Sequence, residues 1–418
     1  MILHRAWLRI WRRDPAAPAL IDAASGRIWT RDDMEQAARR WPPAAAVSVS
    51  RRALFFSAPN GLDWWAAFLS ALRTGRVAAP VDPSEPPAAA RALAARAARR
   101  LPPDAELLKL TSGSTGRPRA LPFTGRQMLA DGRHIAATMG ITAADTHLGL
   151  VPLGHSYGLG NLVIPLLRAG TPIICGVAPL PHAVAAAARR GATVFPAVPA
   201  LLRALAESDI PAGGLGPLRL VISAGAPLDA ETAVRFHQRF GLRVHNFYGS
   251  SETGGIAYDR SGEATLAGRS VGRPLRGVRL RYSATGRFTV ASAAVMGRGE
   301  HTPADRGRPG PRGELVLLGR LGRALKIAGR RLDPAEIEAA VRRIAGVREC
   351  CVIAHPRRPE ALAAVVSGRG ALTPQQLDAA LRPQLAPWKI PRKWAFARAL
   401  PVNARGKVDR AAVAALLQ

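Results

Sequence analysis

The segment 110-LTSGSTGRPRALPFTGRQM-128 decides how the rest of the chain is read. It interleaves Thr111, Ser112, Ser114 and Thr115 with Gly113 and Gly116, directly after the apolar run 107-LLKL-110. Glycine lets backbone N–H groups approach an oxyanion closely, and the hydroxyls add further donors. Arg117 and Arg119 bring positive charge in a form that can hold phosphate oxygens through two parallel bonds. Thr124 with Gln127 three residues later predicts the cap of a following helix. The segment therefore reads as a phosphate-binding loop between a strand and a helix; the alternative is a polar surface turn. It is not a Walker A loop, because counting from Gly113 that pattern requires Gly at 118 and Lys at 119, where Pro118 and Arg119 stand.

Outward from this loop, apolar runs of strand length alternate with Ala-rich helical stretches. The runs are 53-ALFFSA, 107-LLKL, 148-LGLVPL, 171-TPIICGV, 193-TVFPAV, 218-LRLVISAG and 242-LRVHNFYG; helices are expected at 62-LDWWAAFLSALRTG and 229-DAETAVRFHQRFG. That alternation predicts an α/β architecture with largely parallel sheets. Between 260 and about 318 the text turns Gly/Arg-rich with short strand-like pieces, which reads as a β-rich subdomain. After 319-GRLGRALKIAGRR the pattern resets. Asp333-Pro334-Ala335-Glu336 opens a helix, strands are expected at 347-VRECCVIAH and 361-ALAAVVSG, and Thr373 with Gln376 opens another helix. The expected division is a large domain over 1–318, a hinge at 319–323 and a small α+β domain over 324–418.

The chain of 418 residues carries 59 Lys+Arg against 29 Asp+Glu, a net charge of +30. Such a balance fits arginines on solvated faces, or attraction to nucleotides, coenzyme A, an acidic carrier protein, nucleic acid or anionic lipid. Three cysteines with no metal-ligand spacing and no disulfide pattern suit a reducing cytoplasm. The start, 1-MILHRAWLRIWRRDP, is basic but has no apolar h-region. It is read as a surface helix packed by Trp7 and Trp11, with peripheral membrane contact as the alternative. The apolar stretch 159-LGNLVIPLL-167 is too short to span a bilayer.

A second reading competes at 154-GHSYG-158, which matches the G-x-S-x-G nucleophile elbow and would make Ser156 the nucleophile of a hydrolase. That reading needs an oxyanion loop upstream, and no His-Gly-Gly segment precedes residue 154. His245, His301 and His355 are available as bases, but none has a distinctive context.

T-S-G-S-T-G-x-P-[KR] resembles the signature loop of the adenylate-forming superfamily, which comprises acyl- and aryl-CoA synthetases, nonribosomal peptide adenylation domains and firefly luciferase. The resemblance continues in order through 151-VPLGHSYGLG, 223-SAGAPL, 247-FYGSSETGG, 272-GRPLRGVRL, 302-TPADRG, 319-GRLGRALKIAGRRLDPAEIE and 401-PVNARGKVDR. It implies ATP-dependent activation of a carboxylic acid, aryl or fatty acyl, to an acyl-adenylate with release of pyrophosphate. Transfer to the thiol of coenzyme A or of a carrier-protein phosphopantetheine would follow. It implies nucleotide contacts from Thr111, Ser112, Gly113, Ser114, Thr115, Gly116 and Arg119, from Ala224, Gly225 and Ala226, and from Tyr248, Gly249 and Ser251. Asp305 would hold the ribose, Glu252 would bind Mg²⁺, and Lys407 would be the catalytic lysine, with Arg320 near the ribose or phosphates. His155 would stand beside the acyl pocket with Tyr157, Val198 and Pro199, and Ser156 would have no nucleophilic duty. Arg330 and Arg331 would meet the acceptor's phosphates.

The partners implied are a small carboxylate and an acidic acyl carrier protein, with no nucleic acid. The chain departs from the pattern at Arg119, where lysine is usual, at Gly154, where an aromatic is usual, and at Gly322, where the hinge Asp or Lys is usual. An adenylate-binding regulatory protein lacking the thioester step is the alternative within this resemblance.

Overall fold

The structure is a computed structural model. It describes the chain except residues 43–45, 84–86, 100, 112–118, 321–324, 328–329, 333, 369–371, 386 and 404–407. The chain divides into two compact units. The first comprises Met1–Arg281, Thr289–His301 and Gly310–Leu315; the second comprises Tyr282–Phe288, Thr302–Pro309 and Val316–Gln418.

The first unit is built on two sheets. Among the described residues, one holds β3 (Ser48–Val49), β4 (Ala53–Phe56), β5 (Val77–Pro80), β6 (Leu107–Thr111) and β7 (Arg119–Phe123), in that order. The other runs β14 (Arg273–Pro274), β13 (Gly254–Tyr258), β12 (Val244–Ser250), β11 (Leu220–Ser223), β10 (Val194–Ala197), β8 (His147–Leu148), β9 (Ile173–Cys175), β1 (Pro18–Asp22) and β2 (Ile28–Thr30). Pairing is parallel through β4–β5–β6 and from β1 through β9, β8, β10 and β11 to β12. Strands β4, β5, β10 and β11 are buried along their whole length, as parallel strands covered on both faces must be. The expected α/β class is what the chain adopts.

Helices α1 (Ile2–Arg13), α2 (Arg31–Arg40), α3 (Leu62–Arg73), α4 (Pro87–Ala98) and α5 (Gly125–Met139) belong to this unit. The predicted cap of α5 is present as a full capping box, Thr124 with Gln127. Helix α1 packs inward by its tryptophans. Trp7 is fully buried with Nε1 donating to Glu35 (2.9 Å), and Trp11 Nε1 donates to Asp32 (3.1 Å). Burying an aromatic side chain of this size stabilises by roughly 1.5–3 kcal/mol. The surface-helix reading of the start therefore holds, with the indole of Trp7 fully enclosed. Among the described residues no helix is long and apolar enough to cross a membrane.

One expected strand is much shorter than its sequence suggests. In 148-LGLVPL only His147–Leu148 pair as strand, followed by a single further bond from Gly149 N–H to Ile174 O (2.8 Å). The amide of Asn60 takes over beyond that point: Nδ2 donates to Gly149 O (2.8 Å) and Val151 O (2.9 Å), and Oδ1 accepts from Leu153 N–H (2.9 Å). A side chain replaces the neighbouring strand, and the backbone turns toward His155.

In the second unit, strands Val347–His355 and Arg358–Gly368 pair antiparallel, and Lys393–Ala397 adds parallel to the latter. Helices Pro334–Arg342 and Pro374–Leu381 cover this sheet through Ile337, Val341, Leu377 and Leu381. Thr373 and Gln376 form the predicted capping box. The short strands expected between 260 and 318 are found at Arg279–Tyr282, Phe288–Ala291 and Leu315–Arg320, with a short helix at Glu263–Leu266.

Candidate active site

Strand β6 and strand β7 form a hairpin whose last pair is Thr111 with Arg119. The loop between them falls outside the described residues, and with it Ser112, Gly113, Ser114, Thr115 and Gly116. Its two ends are fixed. Arg119 Nη1 lies 3.5 Å from Glu252 Oε1, which joins the end of the hydroxyl-rich loop to the turn after β12. The Glu252 side chain is 20% exposed, against 59% for Arg119, so the carboxylate is the more enclosed partner.

The turn that carries Glu252 is held from several sides. Ser250 Oγ and Thr253 Oγ1 are 3.0 Å apart, and Glu252 O accepts from Met296 N–H (2.9 Å). Asp131 of α5 accepts from Gly255 N–H (2.9 Å) and is itself buried. At Gly249, which follows Tyr248 at a bulge of β12, a β-carbon would meet Gly254 O at 2.5 Å, so the strand crossing admits no side chain there. Ser251 is half-buried on the same turn.

Lys109 lies on β6, within the run 107-LLKL. It is 1% exposed, and its ammonium stands 4.0 Å from the centre of the Phe123 ring. Burial pushes its pKa down, opposed by the negative charges of Asp131 and Glu252. Burial pushes the Asp131 carboxyl up, opposed by Lys109. These buried charges behind the Glu252 turn were not singled out in the sequence, where Lys109 stands inside an otherwise apolar strand.

His155 opens a short helical segment, Ser156–Gly158, that continues into a π-turn over Leu159–Val163. Its Nε2 is 2.8 Å from Asp82 Oδ2, with side-chain exposures of 30% and 16%. Two residues on, Tyr157 OH donates to Ile222 O (3.1 Å) at the end of β11, and its ring centre is 6.0 Å from that of Phe247 on β12. Burial holds the Tyr157 phenol well above its usual pKa. Ala224 and Gly225 follow β11; Ala224 N–H donates to Ala197 O (3.2 Å), Gly225 adopts φ +88°, and Ala226 is exposed. Val198 follows β10, and a β-carbon on Gly225 would be 3.9 Å from it. The expected neighbours of the acyl pocket thus gather at the carboxyl ends of β10, β11 and β12, the edge at which parallel sheets bind ligands.

Gly154, where an aromatic was expected, has a specific cause. A β-carbon there would be 3.0 Å from Pro80 and 3.8 Å from the indole nitrogen of Trp64. As for the competing elbow reading, among the described residues no hydrogen bond joins Ser156 to a histidine, and the adjacent His155 is committed to Asp82. Asp305 is half-buried on the strand Asp305–Pro309 in the second unit, and Arg320 ends the strand Leu315–Arg320 with its side chain outside the described set. Lys407 and Gly322 are outside the described residues, as are the side chains of Thr111, Arg330 and Arg331.

The family model for an AMP-binding enzyme matches residues 98–283, and that for the AMP-binding enzyme C-terminal domain matches 336–407. The chain is 31% identical over 357 residues to a probable 2-succinylbenzoate–CoA ligase of Mycobacterium tuberculosis, covering 77% of this chain and 86% of that protein. This chain belongs to the AMP-binding enzyme family.

The chain is also 30% identical over 336 residues to benzoate–CoA ligase of Thauera aromatica; the match covers 72% of this chain but only 64% of that relative's length. With sulfoacetate–CoA ligase of Cupriavidus necator it shares 30% over 407 residues, covering 85% and 77% of the two chains. Among solved structures, ATP-bound MatB from Rhodopseudomonas palustris superposes with a TM-score of 0.80 at 22% identity, covering 99% and 98%. The o-succinylbenzoate CoA synthetase of Bacillus subtilis with its acyl-adenylate intermediate gives 0.79 at 20%, covering 96% of each chain. The AMP-binding enzyme therefore has the fold of these structures, a large parallel-sheet N-terminal part and a small C-terminal part.

Proposed function

We propose that this AMP-binding enzyme activates a carboxylic acid, aryl or fatty acyl, with ATP. The carboxylate oxygen attacks the α-phosphorus, pyrophosphate leaves, and an acyl-adenylate forms; a thiol sulfur then attacks the acyl carbon and AMP leaves. The single observation that carries this reading is the approach of Arg119 to Glu252, which brings the end of the hydroxyl-rich loop against the 247-FYGSSETGG turn. Two anions must meet in the first step, so the site has to offset negative charge. Arg119 supplies a cation at the end of the β6–β7 hairpin, and Lys407 is proposed as the cation that reaches the incoming carboxylate. One preorganised donor of that kind contributes roughly 2.7–4 kcal/mol to the transition state.

Glu252 presents one partly enclosed carboxylate. That donor fits Mg²⁺, which takes one or two protein carboxylates and fills its remaining positions with water and phosphate oxygens. When bound, the ion would offset phosphate charge. Tyr248, Gly249 and Ser251, with Ala224 to Ala226, are proposed to receive the adenosine, and Asp305 and Arg320 the ribose and phosphates. His155, Tyr157, Val198 and Pro199 are proposed to line the acyl pocket, which offers no acidic residue in 154-GHSYG for an α-amine.

Coenzyme A is the acceptor named for the curated relatives above, and a carrier-protein phosphopantetheine has the same thiol chemistry. A chain of net charge +30 attracts either anion. Domains over 1–318 and 324–418 with a hinge at 319–323 fit this two-step reaction. Gly319, at the start of that stretch, adopts φ +115°, a conformation glycine tolerates best. The buried Cys175, Cys350 and Cys351 fit a cytoplasmic protein.

The test is ATP–pyrophosphate exchange over a panel of aryl and fatty acids, with wild type and Lys407→Ala. Acid-dependent exchange that Lys407→Ala abolishes is the expected result. Nucleotide binding without exchange would point to a regulatory protein, and ester cleavage lost in Ser156→Ala to a hydrolase. Adding coenzyme A or a holo carrier protein to the active pairing identifies the acceptor.

A further inference from the structure

We infer that Asp82 is the positioning residue of His155, fixing which face and which ring nitrogen the imidazole turns toward the acyl group. The inference rests on the acid-activation reading above and adds to it a residue to which the sequence reading gave no role.

The starting point is the 2.8 Å bond between His155 Nε2 and Asp82 Oδ2. A carboxylate can only accept, so Nε2 carries the proton. In a neutral ring Nδ1 is then the acceptor nitrogen, and it faces away from Asp82. A hydrogen bond to one imidazole nitrogen sets the tautomer and the ring plane seen by the other.

Both partners are held before a ligand arrives. Asp82 emerges two residues after β5, which is buried throughout and lies between β4 and β6 in parallel register. It therefore leaves the sheet at the same edge as Thr111, the last residue of β6. His155 is fixed from its own side. Asn60 binds the backbone at Gly149, Val151 and Leu153, and Gly154 packs against Pro80. Beyond it, Tyr157 is tied to Ile222 O. With the backbone on both sides held, the bond to Asp82 is what orients the ring. Its 30% side-chain exposure leaves the ring reachable at the mouth of the site while the bond to Asp82 is kept.

The experiment combines kinetics with histidine NMR. In protein labelled with ¹⁵N at histidine, the long-range ¹H–¹⁵N pattern of His155 should report a proton on Nε2 in wild type and a loss of that single tautomer in Asp82→Asn. His155→Ala assigns the signal. In acid-dependent pyrophosphate exchange, Asp82→Asn should lower kcat about tenfold, within the range for residues that orient a site imidazole, while KM for ATP stays within about twofold. Asp82→Glu should restore part of the loss. In the His155→Ala background, Asp82→Asn should cost less than about twofold more, because its target is gone.

A wild-type His155 protonated on Nδ1, or equal losses from Asp82→Asn with and without His155, would overturn the inference. Equal losses would mean that Asp82 serves only the fold. Absence of exchange in wild type would instead overturn the acid-activation reading, and the NMR result would still be read on its own.

Discussion

Asp131 fills the space in which a side chain at Gly254 would have to lie. Its carboxylate accepts the N–H of Gly255 at 2.9 Å and sits closer to the Gly254 Cα than any β-carbon would permit. Gly254 has φ +70°, so the turn needs glycine for its backbone as well as for its space. Helix α5 and the β12–β13 turn are locked by one backbone position, and Glu252 stands two residues away.

Gly254→Ala is accordingly expected to lower stability by about 1–3 kcal/mol, the usual cost of a strained backbone state. Exchange activity should fall by more than the unfolded fraction explains, because Glu252 is displaced. Thermal melts read beside activity at a temperature where the variant is folded check this.

Glu252→Gln and Arg119→Ala should separate function from stability. The pair is 3.5 Å apart with Arg119 59% exposed, and such partly solvated pairs contribute about 0–1 kcal/mol. Urea midpoints should therefore hardly move. Glu252→Gln should raise the Mg²⁺ concentration needed for half-maximal exchange, and Arg119→Ala should raise the KM for ATP. A large loss of stability with unchanged kinetics would contradict this assignment.

His147 supplies a pH test. It is fully buried on β8, and among the described residues neither ring nitrogen has a hydrogen-bond partner. Burial lowers its pKa from 6.5 to about 4. The unfolded chain therefore binds a proton between those values while the folded protein does not. Stability is lost as pH falls from about 6.5 to about 4 and changes no further from this group below that. At 1.36 kcal/mol per unit the window spans on the order of 3 kcal/mol. In His147→Leu the slope across that window should flatten, and stability at pH 7 should stay the same or rise, since no buried polar atom is left unpaired. Urea titrations at pH 7, 5.5 and 4.5 measure both effects.

Glu106 tests how the start of the chain is anchored. Its carboxylate accepts the N–H groups of Ile2 (2.6 Å) and Leu3 (2.8 Å), the orphan donors at the first turn of α1. Glu106→Ala should cost about 1–2 kcal/mol, read as a melting temperature lowered by a few degrees.

The parallel strands were legible because burial on both faces leaves a continuous apolar run, as in 53-ALFF and 220-LVIS. The caps at Thr124 and Thr373 were legible because their chemistry is local. The expected strand at 148–153 was overdrawn because an apolar run does not say where its backbone bonds go, and here the amide of Asn60 takes them. The pairing of His155 with Asp82, 73 positions away, left no local trace in 80-PVDP. The burial of Lys109 was equally silent, since 107-LLKL reads as a strand whether its charge is solvated or enclosed. The motif order singled out Glu252 and His155, and the structure supplied Arg119 and Asp82 as the partners beside them.

Because a β-carbon at Gly154 would come within 3.0 Å of Pro80, any larger residue 154 would press the loop that carries His155 against the end of β5.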